Sequence, residues 1–344
     1  MRFKSGREQG GLFAYQERKA APSQKATPLD RLNERLDWAL FRADLEGPLD
    51  HQGGAQGGRT PWCPVLMFKI LVLQKHFDLS EEQPEFQILG RFSFQRFLGL
   101  DAGDPVPDKN ALWTFKERLG ETGLRGCCDL FDEVRRATGL LASKGKIVDA
   151  SFVEAPRQRN PREENAQIKK GKPPEDWNRH PNKPAQTDVA ARWALKNQER
   201  HCGCKNHVKG NAQSKLIENG TVTDASVPDS RPRVELLGPN DGRLHAASAC
   251  RSGKIEEELR RQGIQNYIPE QGPRHHPLKQ PQKGPNTRKS KVRARAEHRF
   301  GFQVQQMRAN RIRTLGRSRA ERSSGLGPLV YDLFRYVQLG GALG

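Results

Sequence analysis

At Lys146 the period of the chain changes. Upstream, apolar residues recur at helical spacing; from Lys146 the sequence reads Lys146-Ile147-Val148-Asp149-Ala150-Ser151-Phe152-Val153, a β-branched run with an acid at its centre. A chain that switches in this way predicts an all-helical part followed by an α/β part. The acid constrains it further. An unpaired carboxylate inside a sheet is costly, so Asp149 is expected at a strand end, facing a metal, a cation or water.

The chain of 344 residues is long enough for two domains, each with its own core. Residues 1–29 read as a polar, loosely ordered N-terminus, and 30–140 as the helical domain. Leu32, Leu36 and Leu40 recur at helical spacing, Ser80-Glu81-Glu82-Gln83 reads as a capping box, and Asp108 can cap a helix holding Leu112, Phe115 and Leu119. Phe92, Phe94 and Phe97 are expected in its core. A DNA-reading helix-turn-helix is an alternative here, opposed by the balanced charge.

Charge separates the two parts. Residues 1–145 hold 21 Lys/Arg against 20 Asp/Glu, and residues 146–344 hold 38 against 20. The net charge of +19 therefore divides as +1 (21 − 20) and +18 (38 − 20). Such an excess points to a surface that neutralises phosphates. A ribosomal or membrane-surface protein could share it, so charge alone names no reaction.

Residues 155–200 form a basic insertion rich in Lys, Arg, Pro and Asn, read as an arm with one helix near 188–198. Strand signals follow at 206–209, at 215–218 with 221–223, and at 243–246; then come a helix over about 254–262, a short strand near 267–268 and a Pro-rich loop at 273–285. The stretch Arg288–Phe300 carries six Lys/Arg and one carboxylate, Glu297. A run this one-sided repels itself unless an anion is near, which suggests a metal ligand in a phosphate-rich site. The plainer alternative is a solvated basic helix in which Glu297 pairs with Arg293 one turn back.

The longest apolar run, Val65 to Leu73, is interrupted by Lys69 and is far shorter than the roughly 20 residues that cross a bilayer. Met1-Arg2-Phe3-Lys4-Ser5-Gly6-Arg7 does not read as a signal peptide. The expectation is a cytoplasmic, nucleoid-associated chain with reduced thiols and no membrane partner. The six cysteines have no disulfide-framework spacing, and only His201-Cys202-Gly203-Cys204-Lys205-Asn206-His207 has a zinc-like look.

The segments IVDASFVEAPRQRN at 147–160, KNHVK at 205–209, VTDASVPDS at 222–230 and RKSKVRARAEHRFGFQ at 288–303 together resemble an insertion-sequence-five transposase. LSEEQPEFQILGRFSFQRFLGL at 79–100 resembles that family's amino-terminal domain, and the similarity runs from about 30 to about 338. The resemblance implies a ribonuclease H-like mixed sheet with flanking helices over 146–338, preceded by the helical domain. It also implies an Asp-Asp-Glu triad holding two Mg²⁺ ions, with Mn²⁺ as a substitute, for DNA cleavage and strand transfer.

By match, Asp149 is the first acid and Glu297 the third, and Arg293 sits at the Arg-x3-Glu spacing. The second acid is missing. Where the family pattern resembles Ala-Asp-Ser-Ala-Tyr, this chain reads Ala246-Ala247-Ser248-Ala249-Cys250, and the methyl group of Ala247 cannot ligate a cation. Cys202, Cys204 and Cys250 stand where the family usually has tyrosine. Asp224, Asp229 and Asp241 are candidate replacements, with turn chemistry as their plainer reading.

The expected partners are terminal inverted repeats and target DNA, with a homodimer handling two ends. Candidate DNA contacts are Lys205, His207, Arg288, Lys289, Lys291, Arg295 and Arg299. Two functional readings stay open: a transposase impaired in catalysis, or an inactive DNA-binding relic that occupies element ends.

Overall fold

The protein is described here from a computed structural model. The described residues are 13, 16, 17, 19, 26–49, 60–101, 103–141, 145–156, 160–171, 174–196, 198–229, 235–238, 241–272, 278 and 280–340. Cys63 through Cys250 are all free thiols.

The helical part begins with α1 (Pro28–Arg35) and α2 (Arg42–Glu46), followed by α3 (Pro64–His76), α4 (Gln83–Gly90), α5 (Phe92–Leu98) and α6 (Lys109–Ala137). Thr27 and Asp30 close a reciprocal capping box on α1. Leu32 and Leu36 are buried, but α1 stops at Arg35, and Leu40, expected to continue its stripe, lies exposed on a 3-10 turn. The Ser80–Gln83 box is half present. The Gln83 side chain accepts the Ser80 N–H at 2.7 Å, while α4 starts only at Gln83.

Asp108 caps α6 as its type predicts, accepting the Ala111 N–H at 2.7 Å, and Leu112, Phe115 and Leu119 below it are buried. At Gly120 α6 kinks, with φ +58°, a conformation glycine adopts without steric penalty. Phe94 and Phe97 are in the core, and Phe92 is half-buried.

The sheet is built from β1 (Lys146–Glu154), β2 (Arg192–Lys196), β3 (Glu199–Asn211), β4 (Ile217–Asp224), β5 (Arg243–His245) and β6 (Gln265–Asn266). Its main order is β4-β3-β1-β5-β6, and β2 pairs with the first half of β3. β3 runs antiparallel to both β1 and β4, whereas β5 runs parallel to β1 and β6 parallel to β5. The two strand signals at 215–218 and 221–223 belong to one strand, β4.

Residues expected to form a loose arm are more ordered than composition predicts. They include α7 (Arg162–Lys169) and α8 (Asn182–Gln186), and both Ile168 and Trp177 are buried. The helix expected near 188–198 is instead β2, because hairpin pairing with β3 overrides local helix propensity.

After β5 come α9 (Gly253–Arg261) and, beyond β6, α10 (Gln280–Arg293), α11 (Arg295–Gln305) and α12 (Arg317–Gln338). The Pro-rich stretch is helical from Gln280, with Pro285 inside α10, and the basic helix is two helices that part at Ala294. Alternation along β1 sorts its two faces. Ile147 packs with Ala212 and Ala296 under Val292 and Phe300 of α10 and α11. Val148 packs with Leu244, Ala246, Ile255 and Leu259 on the α9 side.

The last helix returns to the first part. Leu329, Val330, Leu333 and Tyr336 of α12 share one core with Phe68, Phe97 and Phe131. A buried ion pair between Arg135 of α6 and Asp332 of α12 reinforces that junction. Arg135 donates to the Ile217 carbonyl at 2.7 Å, and Asp332 accepts the Ile217 N–H at 2.9 Å. Among the described residues no helix is long and apolar enough to cross a membrane.

Candidate active site

Asp149 sits fourth in the nine-residue β1, mid-strand rather than at its end. Its side chain is one-tenth exposed, and the charge is answered locally. Oδ1 accepts the Ala150 N–H at 3.0 Å, and Oδ2 accepts Arg293 Nη2 at 2.7 Å. Arg293 is on the last turn of α10. Its Nη2 is also 3.7 Å from Glu297 Oε1, across the break into α11. Glu297 lies in the first turn of α11, where a carboxylate suits the positive end of the helix, and its side chain is 65% exposed. One guanidinium thus bridges the first and third acids of the implied triad.

The β1–β5 ladder shows where Ala247, the residue expected at the second position, lies. Lys146 pairs with Leu244 and Ile147 with His245; extending that parallel register by two residues sets Ala247 beside Asp149. Ala247 ends the strand as the N-cap of a 3-10 turn, Ser248–Cys250. Ala247 therefore brings a methyl group beside Asp149.

The candidate replacements are engaged elsewhere. Asp241 is buried against Lys209 Nζ at 3.1 Å and accepts the Gly238 N–H at 2.8 Å. Asp229 pairs with Lys205 at 2.9 Å. Asp224 accepts the Ser226 N–H at 2.9 Å and is paired in register with Cys204, itself opposite Val153. That is four residues along β1 from Asp149, about 13 Å at strand rise. These are the turn and pairing roles Asp plays without a metal.

The donor set does not fit a pair of divalent ions. Two carboxylates remain, one bound by an arginine that also faces the other, and no group of three or more His, Cys, Asp or Glu able to hold a metal occurs among the described residues. This includes the zinc-like stretch around Cys202 and Cys204, which is part of β3.

The expected DNA contacts divide in two. Arg288, Lys291 and Arg295 are exposed and Lys289 is half-buried, all along α10 and the start of α11. Lys205, His207 and Arg299 are buried, against expectation. Lys205 is held by Asp229 and the Val227 carbonyl, and His207 Nε2 meets Thr223 Oγ1 at 2.9 Å. Arg299 has no exposed surface; burial lowers its pKa, and its guanidinium fills the space beside Gly210. The signal for this was helical spacing. Ala296, Arg299 and Gln303 recur on one stripe of α11, and that stripe faces the sheet.

The Transposase domain family (DUF772) matches residues 16–118, and the Transposase DDE domain family matches residues 142–331, more than half of the chain. Among solved structures, the chain is similar to a piggyBac transposase in a synaptic complex with hairpin DNA. That similarity has 11% sequence identity, covers 94% of this chain and 78% of the other, and has a TM-score of 0.42. With its helical first part, its mixed sheet and the DDE match across that sheet, the chain belongs to the Transposase DDE domain family.

Proposed function

We propose that this chain binds the DNA ends of a bacterial insertion sequence as a transposase does, and that cleavage and strand transfer are impaired in it. The observation that carries this reading is the Arg293 bridge from Asp149 to Glu297, with Ala247 beside Asp149. A guanidinium there neutralises the first acid, and among the described residues no third carboxylate joins them to draw a divalent ion in its place.

Support for a ribonuclease H-like reading of the sheet is topological. The order β4-β3-β1-β5-β6, antiparallel across β4, β3 and β1 and parallel across β1, β5 and β6, is the arrangement such a fold uses. The exposed cations of α10 and α11 flank Asp149 and supply the phosphate-facing surface. Two copies would be needed to hold two ends.

The test is Mg²⁺- or Mn²⁺-dependent cleavage of the element's own end DNA by this chain and by Ala247→Asp. Cleavage by the variant alone, with equal DNA binding by both, supports the reading. Cleavage by both means that another carboxylate completes the site and overturns it.

A further inference from the structure

Arg243, Arg288, Lys289 and Arg295 surround one cavity of about 570 Å³, together with His245 and Tyr267. No carboxylate among the described residues lines it, and none of the four cations is in an ion pair there. Three of them have neutral hydrogen-bond partners. Arg243 Nε donates to Gln265 Oε1 at 2.9 Å, Lys289 Nζ to the Ile268 carbonyl at 3.2 Å, and Arg295 Nη1 to the Ala212 carbonyl at 2.9 Å. Elsewhere on the same sheet cations are matched by acids, as in Lys146–Glu218, Lys205–Asp229 and Lys209–Asp241.

His245 adds a second observation. It is 5% exposed, and its Nδ1 is buried with no hydrogen-bond partner among the described residues. Burial, and then Arg243, Arg295 and Lys289, push its pKa down to about 4, so the ring is neutral at pH 7. Tyr267 stands 5.3 Å from His245 between ring centroids, and the Arg243 guanidinium lies 5.2 Å over the Tyr267 ring. Four like charges gathered around a cavity repel one another until an anion enters.

We propose that this cavity binds a nucleotide phosphate, with the four cations answering the phosphate charge and the uncharged His245 and Tyr267 rings lining the wall. Its volume is in the range of small-ligand pockets, about 300–1,000 Å³, which accommodates a whole nucleotide rather than an inorganic ion alone. The source is a phosphorylated strand terminus of DNA or a free nucleotide. The strand-terminus source rests on the DNA-binding reading proposed above. Arg288 and Lys289 precede Arg293 by about one turn of α10, so a strand crossing that helix can reach both the cavity and Asp149.

The experiment uses the full chain and its Arg243→Gln variant, which removes an exposed side chain. Fluorescence anisotropy compares a blunt end duplex with single-strand-tailed duplexes bearing a 5′-phosphate or a 5′-hydroxyl, and dTMP serves as competitor. The expected result is tighter binding of the 5′-phosphate tail by about tenfold, loss of that preference in the variant, and unchanged blunt-duplex affinity. Displacement of the phosphate tail by dTMP supports the same pocket.

If dTMP binds and is weakened in the variant while no DNA binds, the cavity is a free-nucleotide site and the DNA reading falls. Equal affinity for the two tails together with no dTMP binding overturns the pocket; if the blunt duplex still binds, the DNA reading stands.

Discussion

Arg293 Nη2 lies 2.7 Å from Asp149 Oδ2 and 3.7 Å from Glu297 Oε1, so one cation on α10 spans the two acids that the transposase pattern sets far apart in sequence. Glu297 is exposed and gains little from the contact, whereas Asp149 is nearly enclosed and depends on it. The asymmetry decides what removal of each partner does.

Arg293→Gln is expected to destabilise the fold by about 1–3 kcal/mol, because the Asp149 carboxylate loses its charged partner while remaining buried. Glu297→Gln should change stability by less than about 0.5 kcal/mol. Urea unfolding of the two variants measures both. Equal effects would show that Arg293 does not stabilise Asp149.

At the junction of α6, β4 and α12, Asp332→Ala leaves Arg135 buried and takes the acceptor from the Ile217 N–H. Arg135 keeps the Asp132 carboxylate as an ion-pair partner, so a loss of about 1–3 kcal/mol, mainly from the orphaned Ile217 N–H, is expected, read as a lower thermal midpoint. A near-neutral result would mean that the three elements are joined by apolar packing alone.

Gly210 is close-packed. A Cβ there would meet the Arg299 guanidinium, and it would lie 2.7 Å from the Leu216 carbonyl oxygen, which is backbone and cannot turn aside. Gly210→Ala should therefore cost at least about 1–3 kcal/mol and lower soluble yield. Gly301→Ala, with open space around its Cβ, is the matched control and should be tolerated.

Acid sensitivity follows from the buried imidazoles. His245 and His76 are each held down to about 4, in both cases with burial as the first cause. The unfolded chain binds these protons near pH 6.5 and the folded chain only near 4, so stability is full above 6.5 and is lost as pH falls towards 4. For His245 the loss is about 2 kcal/mol after allowance for solvent screening. His245→Gln should flatten that part of the stability–pH curve; an unchanged slope between pH 6.5 and 4 would contradict the assignment.

Much of the scaffold was legible because local signals agreed with burial. The Asp108 cap, the β-branched run at β1 and the Ile255 and Leu259 face of α9 each follow from spacing, and the neighbouring elements leave that spacing intact. The misreadings came where tertiary contact overrides composition. Trp177 lies in a basic, Pro-rich stretch yet is buried, and residues 192–196 are a strand only because β3 is there to pair with them. Arg299 looked like a phosphate contact by residue type, and its position on the inward stripe of α11 outweighs that.

The site was legible in pieces. Residue identity at Ala247 and the four-residue step from Arg293 to Glu297 could be read directly. That Arg293 reaches Asp149 depends on where α10 crosses β1, a contact 144 residues apart in sequence that no local pattern carries. The cavity around His245 was missed for the same reason: its cations come from β5, α10 and α11, and only the sheet brings them together.

The most direct test of the central claim is Mn²⁺ binding followed by electron paramagnetic resonance, on this chain and on Ala247→Asp, without DNA. The account predicts no saturable Mn²⁺ site in the natural chain and at least one in the variant, with Asp149 and the new carboxylate side by side. Saturable binding of equal strength in both chains would contradict it, since a second acid would then be supplied from elsewhere and Ala247 would not be the lesion.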